Sequence, residues 1–157
     1  MRKKTTVIIF VVFFVLVVAF IFGNSFVKGF DSYKITCKVI NFCLSITDKM
    51  GDFGKSISAW FTIVNVRKTA HFIEYAILGI ICVAFRGSRE PMTLNRVTRL
   101  LLIGIGVPFL DETIQLFVNR SSLVSDMWID LFGFATGAII TSLFFLIKRR
   151  KRAKNKL

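Results

Sequence analysis

The sequence predicts an all-α integral membrane protein of about four transmembrane helices, with an amphipathic helix at the interface in its first outer loop. Three observations carry that prediction. The 157-residue chain is 54% hydrophobic and has 18 phenylalanines, too apolar for an ordinary soluble domain. Its apolar residues gather into runs of spanning length. Its net charge of +13 sits at the ends of those runs and not along a soluble amphipathic face. The charge therefore reads as topological, with no nucleic-acid partner.

The first run, Thr5 to Gly23, is uncharged over 19 residues and as a helix reaches about 28 Å, close to the hydrocarbon thickness. Arg2, Lys3 and Lys4 precede it as in a secretory signal. The run is longer than a usual signal core, however, and no small-residue cleavage site follows Phe22, so it is expected to stay as an anchor. The second span is expected from Thr69 to Phe85, the third from Leu100 to Val118 and the fourth from Met127 to Ile147. Between the first two, Ile35, Val39, Phe42, Ile46, Met50 and Phe53 recur at spacings of three and four with polar residues between them. That pattern is an amphipathic helix that could roof the bundle, with Trp60 and Phe61 at head-group depth. A strand over Ile40 to Ile46 accounts for fewer positions.

Orientation follows from basic residues. With both termini cytoplasmic, fourteen Lys and Arg lie inside and eight outside, as the positive-inside rule requires. The inner set includes Arg86, Arg89, Arg96 and Arg99 between spans two and three, and seven residues from Lys148 onward. The expected layout is one multi-pass domain in the cell membrane over 1–147, followed by a basic cytoplasmic tail over 148–157. The tail acts as a stop-transfer anchor and attracts anionic membrane lipids. Cys37 and Cys43 would lie about 9 Å apart along a helix axis, too far for a disulfide, so free thiols are expected. Cys82 reads as a packing residue in the second span.

The acids are the unusual feature. Of nine Asp and Glu, five (Glu74, Asp111, Glu112, Asp126 and Asp130) lie within spans or at their edges, although each costs about 2.5–3.5 kcal/mol at the centre of a bilayer. Depth arithmetic places them within roughly 10 Å of the outer boundary. Arg67, Lys68 and Arg120 flank the same layer with His71, Tyr75 and Gln115, giving a cluster mostly able to pair internally. Arg67, His71 and Glu74 stack on one stripe of the second span, and Asp111 and Gln115 are one turn apart on the third. Pro108 cannot donate to the Gly104 carbonyl, so a kink is expected beneath the acids. Gly133 and Gly137 form a small-xxx-small motif for helix packing.

The segments RKTAHFIEYAILG, DETIQ and SDMWIDLFGFATG, in this order with Arg120 between the last two, resemble the VanZ-like membrane protein family. The resemblance covers roughly residues 5 to 147. It implies a small multi-span membrane protein of a family named for a member that raises teicoplanin resistance, with no settled biochemical activity. By motif match it marks Lys68, His71, Glu74, Tyr75, Asp111, Glu112, Gln115, Arg120, Asp126, Gly133 and Gly137. Asp130 stands where it leads one to expect asparagine.

Several functions fit these residues. The first is an outer-leaflet site that recognises or processes an envelope component, such as a lipid-linked cell-wall precursor, or that meets the glycopeptide antibiotic itself. There Arg67, Lys68, Tyr75, Gln115, Arg120, Asp126 and Asp130 would bind the ligand, and His71, Glu74, Asp111 and Glu112 would be the candidates for acid–base chemistry. The second is a metal-dependent membrane enzyme. His71, Glu74, Asp111, Glu112 and Asp126 include enough ligands for Zn²⁺ or Mg²⁺; with one histidine and no HExxH, zinc is weakly supported and an oxygen-rich Mg²⁺ or Mn²⁺ site fits better. Transport lacks a visible path, because the inner halves of the spans are apolar. A purely structural ion-paired bundle acting through a partner protein competes with all of these, and Gly133 and Gly137 offer a contact for a homo-oligomer. The charge count generates one direct expectation: a fluorescent protein fused after Leu157 should fluoresce and alkaline phosphatase fused there should be inactive, the reverse pattern overturning the assigned orientation.

Overall fold

The computed structural model describes residues 2–27, 29–85, 93–118 and 124–155. Among the described residues every regular element is helical: α1 (Arg2–Ser25), α2 (Gly29–Thr47), a 3-10 turn (Asp48–Met50), α3 (Gly51–Ser58), α4 (Ile63–Ala84), α5 (Leu94–Phe117) and α6 (Val124–Lys154). The inner loop at 86–92 and Arg120 lie outside the described residues.

Among the described residues three stretches are long and apolar enough to cross a membrane: Val7–Ser25, Leu94–Phe117 and Ser125–Lys154. The chain is a multi-pass membrane protein. The α4 helix is set apart by Arg67, Lys68 and Glu74, yet its packing gives it the same depth as a spanning neighbour. A Cβ built on Gly133 would lie 2.4 Å from the Phe72 carbonyl oxygen, and one on Gly137 2.0 Å from that of Ala76. Both pairs ascend together at one offset, so α4 and α6 run parallel and Ile63 is level with Val124, each the first residue of its helix. From that level α4 runs beside α6, although the expected second span is not among the three stretches above.

Such closeness requires glycine. Gly79 returns it from α4, where a Cβ would meet the Phe134 carbonyl oxygen at 2.2 Å. With side chains absent from the contact, backbone packs on backbone, the association mode available to helices in lipid. The motif at Gly133 and Gly137 is thus consumed within the chain by α4, which leaves that face unavailable for the homo-oligomer contact suggested by the sequence. Thr62 caps α4, its side-chain oxygen accepting from the Asn65 amide.

The α1 helix runs antiparallel to α4: Phe10 packs edge-to-face on Phe85 at one end, and Asn24 bonds Glu74 at the other. Consequently the start of α1 and the end of α6 lie at the same end of the bundle. The buried hydrophobic core is small, comprising Ile21, Tyr75, Leu78 and Phe134 with Val17, Phe22 and Ile103 packed around them. Gly104 of α5 makes room for the Phe134 ring, which would approach a Cβ to 2.6 Å. The α5 helix is continuous through the buried Pro108. Outward, Ile8, Phe13, Leu102, Phe132 and Ile140 are exposed, as lipid-facing side chains should be.

The loop helix exists but is broken. Gly51, at φ +64°, ends the 3-10 turn in a conformation that favours glycine, and α3 begins there. Ile35, Val39, Phe42, Ile46, Met50 and Phe53 are all exposed, whereas Thr36 and Thr47 are buried. The apolar stripe therefore faces away from the protein, and α2 meets α4 through its other side. Such a stripe suits lipid at an interface and not a roof seated on the bundle by apolar contact. Cys37, Cys43 and Cys82 are free.

The backbone contact predicts a contrast between glycines. Gly137→Ala should destabilise the purified protein by about 1–3 kcal/mol and lower its thermal midpoint in detergent, whereas Gly106→Ala, with nothing within 4 Å of the new methyl, should not. Equal midpoints for the two variants would contradict the packing.

Candidate functional site

Four helix segments converge at one end of the bundle: the last turn of α1, the first half of α4, the last turns of α5 and the first turns of α6. Each brings polar groups for a local reason. The apolar run of α1 ends in Asn24 and Ser25. On α4, His71, Glu74 and Tyr75 share neighbouring faces through their spacing of three and four. On α5, Asp111, Glu112 and Gln115 all turn inward and are buried. Asp130 follows on α6 and is 0% exposed.

His71 is central. Its Nδ1 lies 3.5 Å from Asp130 Oδ1 and 3.9 Å from Asp111 Oδ2. Ser25 Oγ donates to Asp111 Oδ1, so α1 is tied to α5 through 86 residues of sequence separation. Its alternative acceptor, the Ile21 carbonyl at 3.3 Å, is the weaker one for a single hydroxyl proton. Gln115 Nε2 donates to Asp111 Oδ2 at 3.3 Å and to Glu112 Oε1 at 3.4 Å, which holds two adjacent carboxylates with one amide. Glu74 accepts from Asn24 Nδ2 at 2.8 Å. Hence Asp111 is well held from outside the cluster, while both oxygens of Asp130 are buried without a hydrogen-bond partner. Tyr75 Oη, in the core beneath, also has no such partner.

Beside His71 a cleft of about 140 Å³ opens between α4 and α6, lined by Ile63, Val64, Arg67, Lys68, Asp126 and Ile129. Arg67 Nε is buried there without a hydrogen-bond partner. A larger cavity, about 470 Å³, lies at the opposite end among apolar residues including Phe10, Phe14, Cys82 and Ile103, with Arg96 and Arg99 also on its wall.

The structure therefore divides the residues expected from the sequence. It brings together His71, Glu74, Tyr75, Asp111, Glu112, Gln115 and Asp130. It places Arg67, Lys68 and Asp126 at the adjoining cleft, where Asp126 accepts from its neighbour Ser125 at 3.2 Å. Arg120 falls outside the described residues. The expected internal pairing takes a different form: among the described residues no lysine or arginine lies within ion-pair distance of Asp111 or Asp130, and the His71 imidazole is the group that faces them. Gln115, a ligand-binding candidate from the sequence, is 1% exposed, with its amide spent on two acids. Asn24 and Ser25 were missed. Their signal was available as two polar residues closing a long apolar run, but their partners are some fifty or more positions away in sequence.

A helical multi-pass membrane protein with a buried histidine–carboxylate layer at one end is the class that this fold and site define. The family model described as VanZ/LLP1 matches residues 10–145, and the chain belongs to that family. No curated protein and no solved structure matches the chain.

The lack of partners at Asp130 has a measurable consequence. Asp130→Asn removes a buried charge facing Asp111 and should raise the thermal midpoint in metal-free detergent solution. Gln115→Leu removes one buried amide donor shared by Asp111 and Glu112 and should destabilise by roughly 1–3 kcal/mol. A lower midpoint for Asp130→Asn would show that its charge stabilises the bundle.

Proposed function

We propose that the protein recognises the anionic head of a cell-envelope component, such as a lipid-linked cell-wall precursor, from the outer leaflet, and thereby confers resistance to glycopeptide antibiotics of the teicoplanin type. The observation that carries this reading is the cleft between α4 and α6, where Arg67 and Lys68 stand beside His71 and the Arg67 guanidinium has a buried donor to spare. A guanidinium and an ammonium converging at a membrane boundary suit phosphate or carboxylate, the former as a planar fork and the latter as a point charge. The apolar walls of Ile63, Val64 and Ile129 suit the part of the ligand nearest its lipid.

The arrangement divides the work between two zones. The cleft binds and orients, while the buried layer behind it supplies groups that exchange protons, with Glu74 held by Asn24 and Asp111 by Ser25 and Gln115. Resistance follows when the drug's surface target is masked or altered. The charge asymmetry supports the side: the basic ends of α1 and α6 share one end of the bundle, so with that end cytoplasmic the acids face outward.

The test expresses Glu74→Gln and Asp111→Asn singly in a glycopeptide-susceptible host, with membrane levels matched by blot. Each variant should return teicoplanin susceptibility to that of cells lacking the protein. Undiminished resistance in both at equal abundance would refute the reading.

A further inference from the structure

We propose that His71 Nδ1, one oxygen of Asp111 and one oxygen of Asp130 form a site for a single divalent transition-metal ion of the Mn²⁺ or Zn²⁺ type. These three residues each offer one ligand atom, and the atoms all lie within 4.8 Å of one another. They come from α4, α5 and α6, so the set exists only in the assembled bundle.

The independent observation is the state of Asp130. Its side chain is 0% exposed, and both its oxygens are without a hydrogen-bond partner. His71 Nδ1, facing it at 3.5 Å, likewise has none. A buried carboxylate with nothing donating to it is costly, and one cation at this point engages the carboxylates and the imidazole lone pair together. Two ligands on one metal ion, at the usual bond lengths, stand about 3.0–3.4 Å apart across octahedral or tetrahedral angles. The separations of 3.5 and 3.9 Å need only small closing movements of side chains.

The surroundings fit the same reading. Asp111 is oriented by Ser25 and Gln115, in the manner of the outer partners that hold metal-binding carboxylates. The cleft that reaches His71 supplies an entry path. One imidazole nitrogen with two carboxylates favours Mn²⁺ or Zn²⁺ over Ca²⁺, which prefers an all-oxygen cage. Three protein ligands leave coordination positions for a phosphate or carboxylate oxygen arriving through the cleft. The ligand set itself does not rest on the proposed recognition of an envelope component.

The test uses the full chain in mild detergent, stripped with chelator and titrated with MnCl₂ while free Mn²⁺ is read by electron paramagnetic resonance. One saturable site per chain, displaced by Zn²⁺, is expected, and pulsed spectra of the bound ion should carry the nitrogen coupling of a directly bound imidazole. Asp130→Asn and His71→Gln, each checked for helical circular dichroism and monodisperse elution, should bind at least about tenfold more weakly. Absence of saturable binding, absence of nitrogen coupling in the wild type, or unchanged affinity in both folded variants would overturn the proposal. The nitrogen signal decides the matter on unmodified protein if a variant does not fold. Metal binding and drug susceptibility are separate readouts, so failure of the metal site is distinguishable from failure of the proposed function.

Discussion

Asp111 and Asp130 face His71 at the junction of α4, α5 and α6, both with no exposed surface. Removing carboxylates from water costs several kcal/mol each unless charge or donors compensate. Much of the bundle's construction at this end serves that requirement. The last turn of α1 contributes the Ser25 hydroxyl, α5 contributes the Gln115 amide one turn from Asp111, and α4 contributes the imidazole. The glycine contacts matter for the same reason. Only with Gly133 and Gly137 pressed on the Phe72 and Ala76 backbone can His71 come close to Asp130, three residues before Gly133 on α6.

Polarity is distributed inside out relative to a soluble domain. Large apolar side chains are exposed along α1, α5 and α6, while the fully buried groups include Ser25, Asp111, Gln115 and Asp130. Lipid removes the incentive to bury the former, and the absence of water makes every unpaired polar group expensive, which drives the latter together. The exposed stripe of α2 obeys the same rule: its hydrophobic side seeks the membrane interface and its small polar residues Thr36 and Thr47 seat it on the protein. The structural alternative, a fully paired network that fixes register, fits poorly with a buried carboxylate that has no donor and with an Arg67 Nε left unpartnered one turn from His71.

The spanning helices, their order and the acids of the polar layer were legible in the sequence, because a spanning segment must be a continuous apolar run and any acid within it stands out. Expected boundaries differed at helix ends, where α4 and α6 extend beyond the hydrophobic stretch into charged residues: α4 begins at Ile63 rather than Thr69, and α6 continues to Lys154. Apolar length marks the membrane, not the helix, since hydrogen bonding along the backbone continues into the water. The segment Asn24-Ser25 was passed over because hydropathy weighs each residue alone, and its meaning depends on Glu74 and Asp111.

Composition and periodicity by themselves determined an all-helical membrane protein with acids massed toward one end and most basic residues toward the other, since the cost of burying charge leaves its mark position by position. Which acid faces which base was decided only by tertiary structure. The sequence allowed Arg67, Lys68 and Arg120 as counter-charges; packing turned Arg67 and Lys68 to a cleft and gave Asp111 and Asp130 to His71. The physical reason is that pairing depends on the rotation and offset of neighbouring helices, and these were fixed by backbone contact at Gly79, Gly133 and Gly137, where the deciding feature is the absence of a side chain.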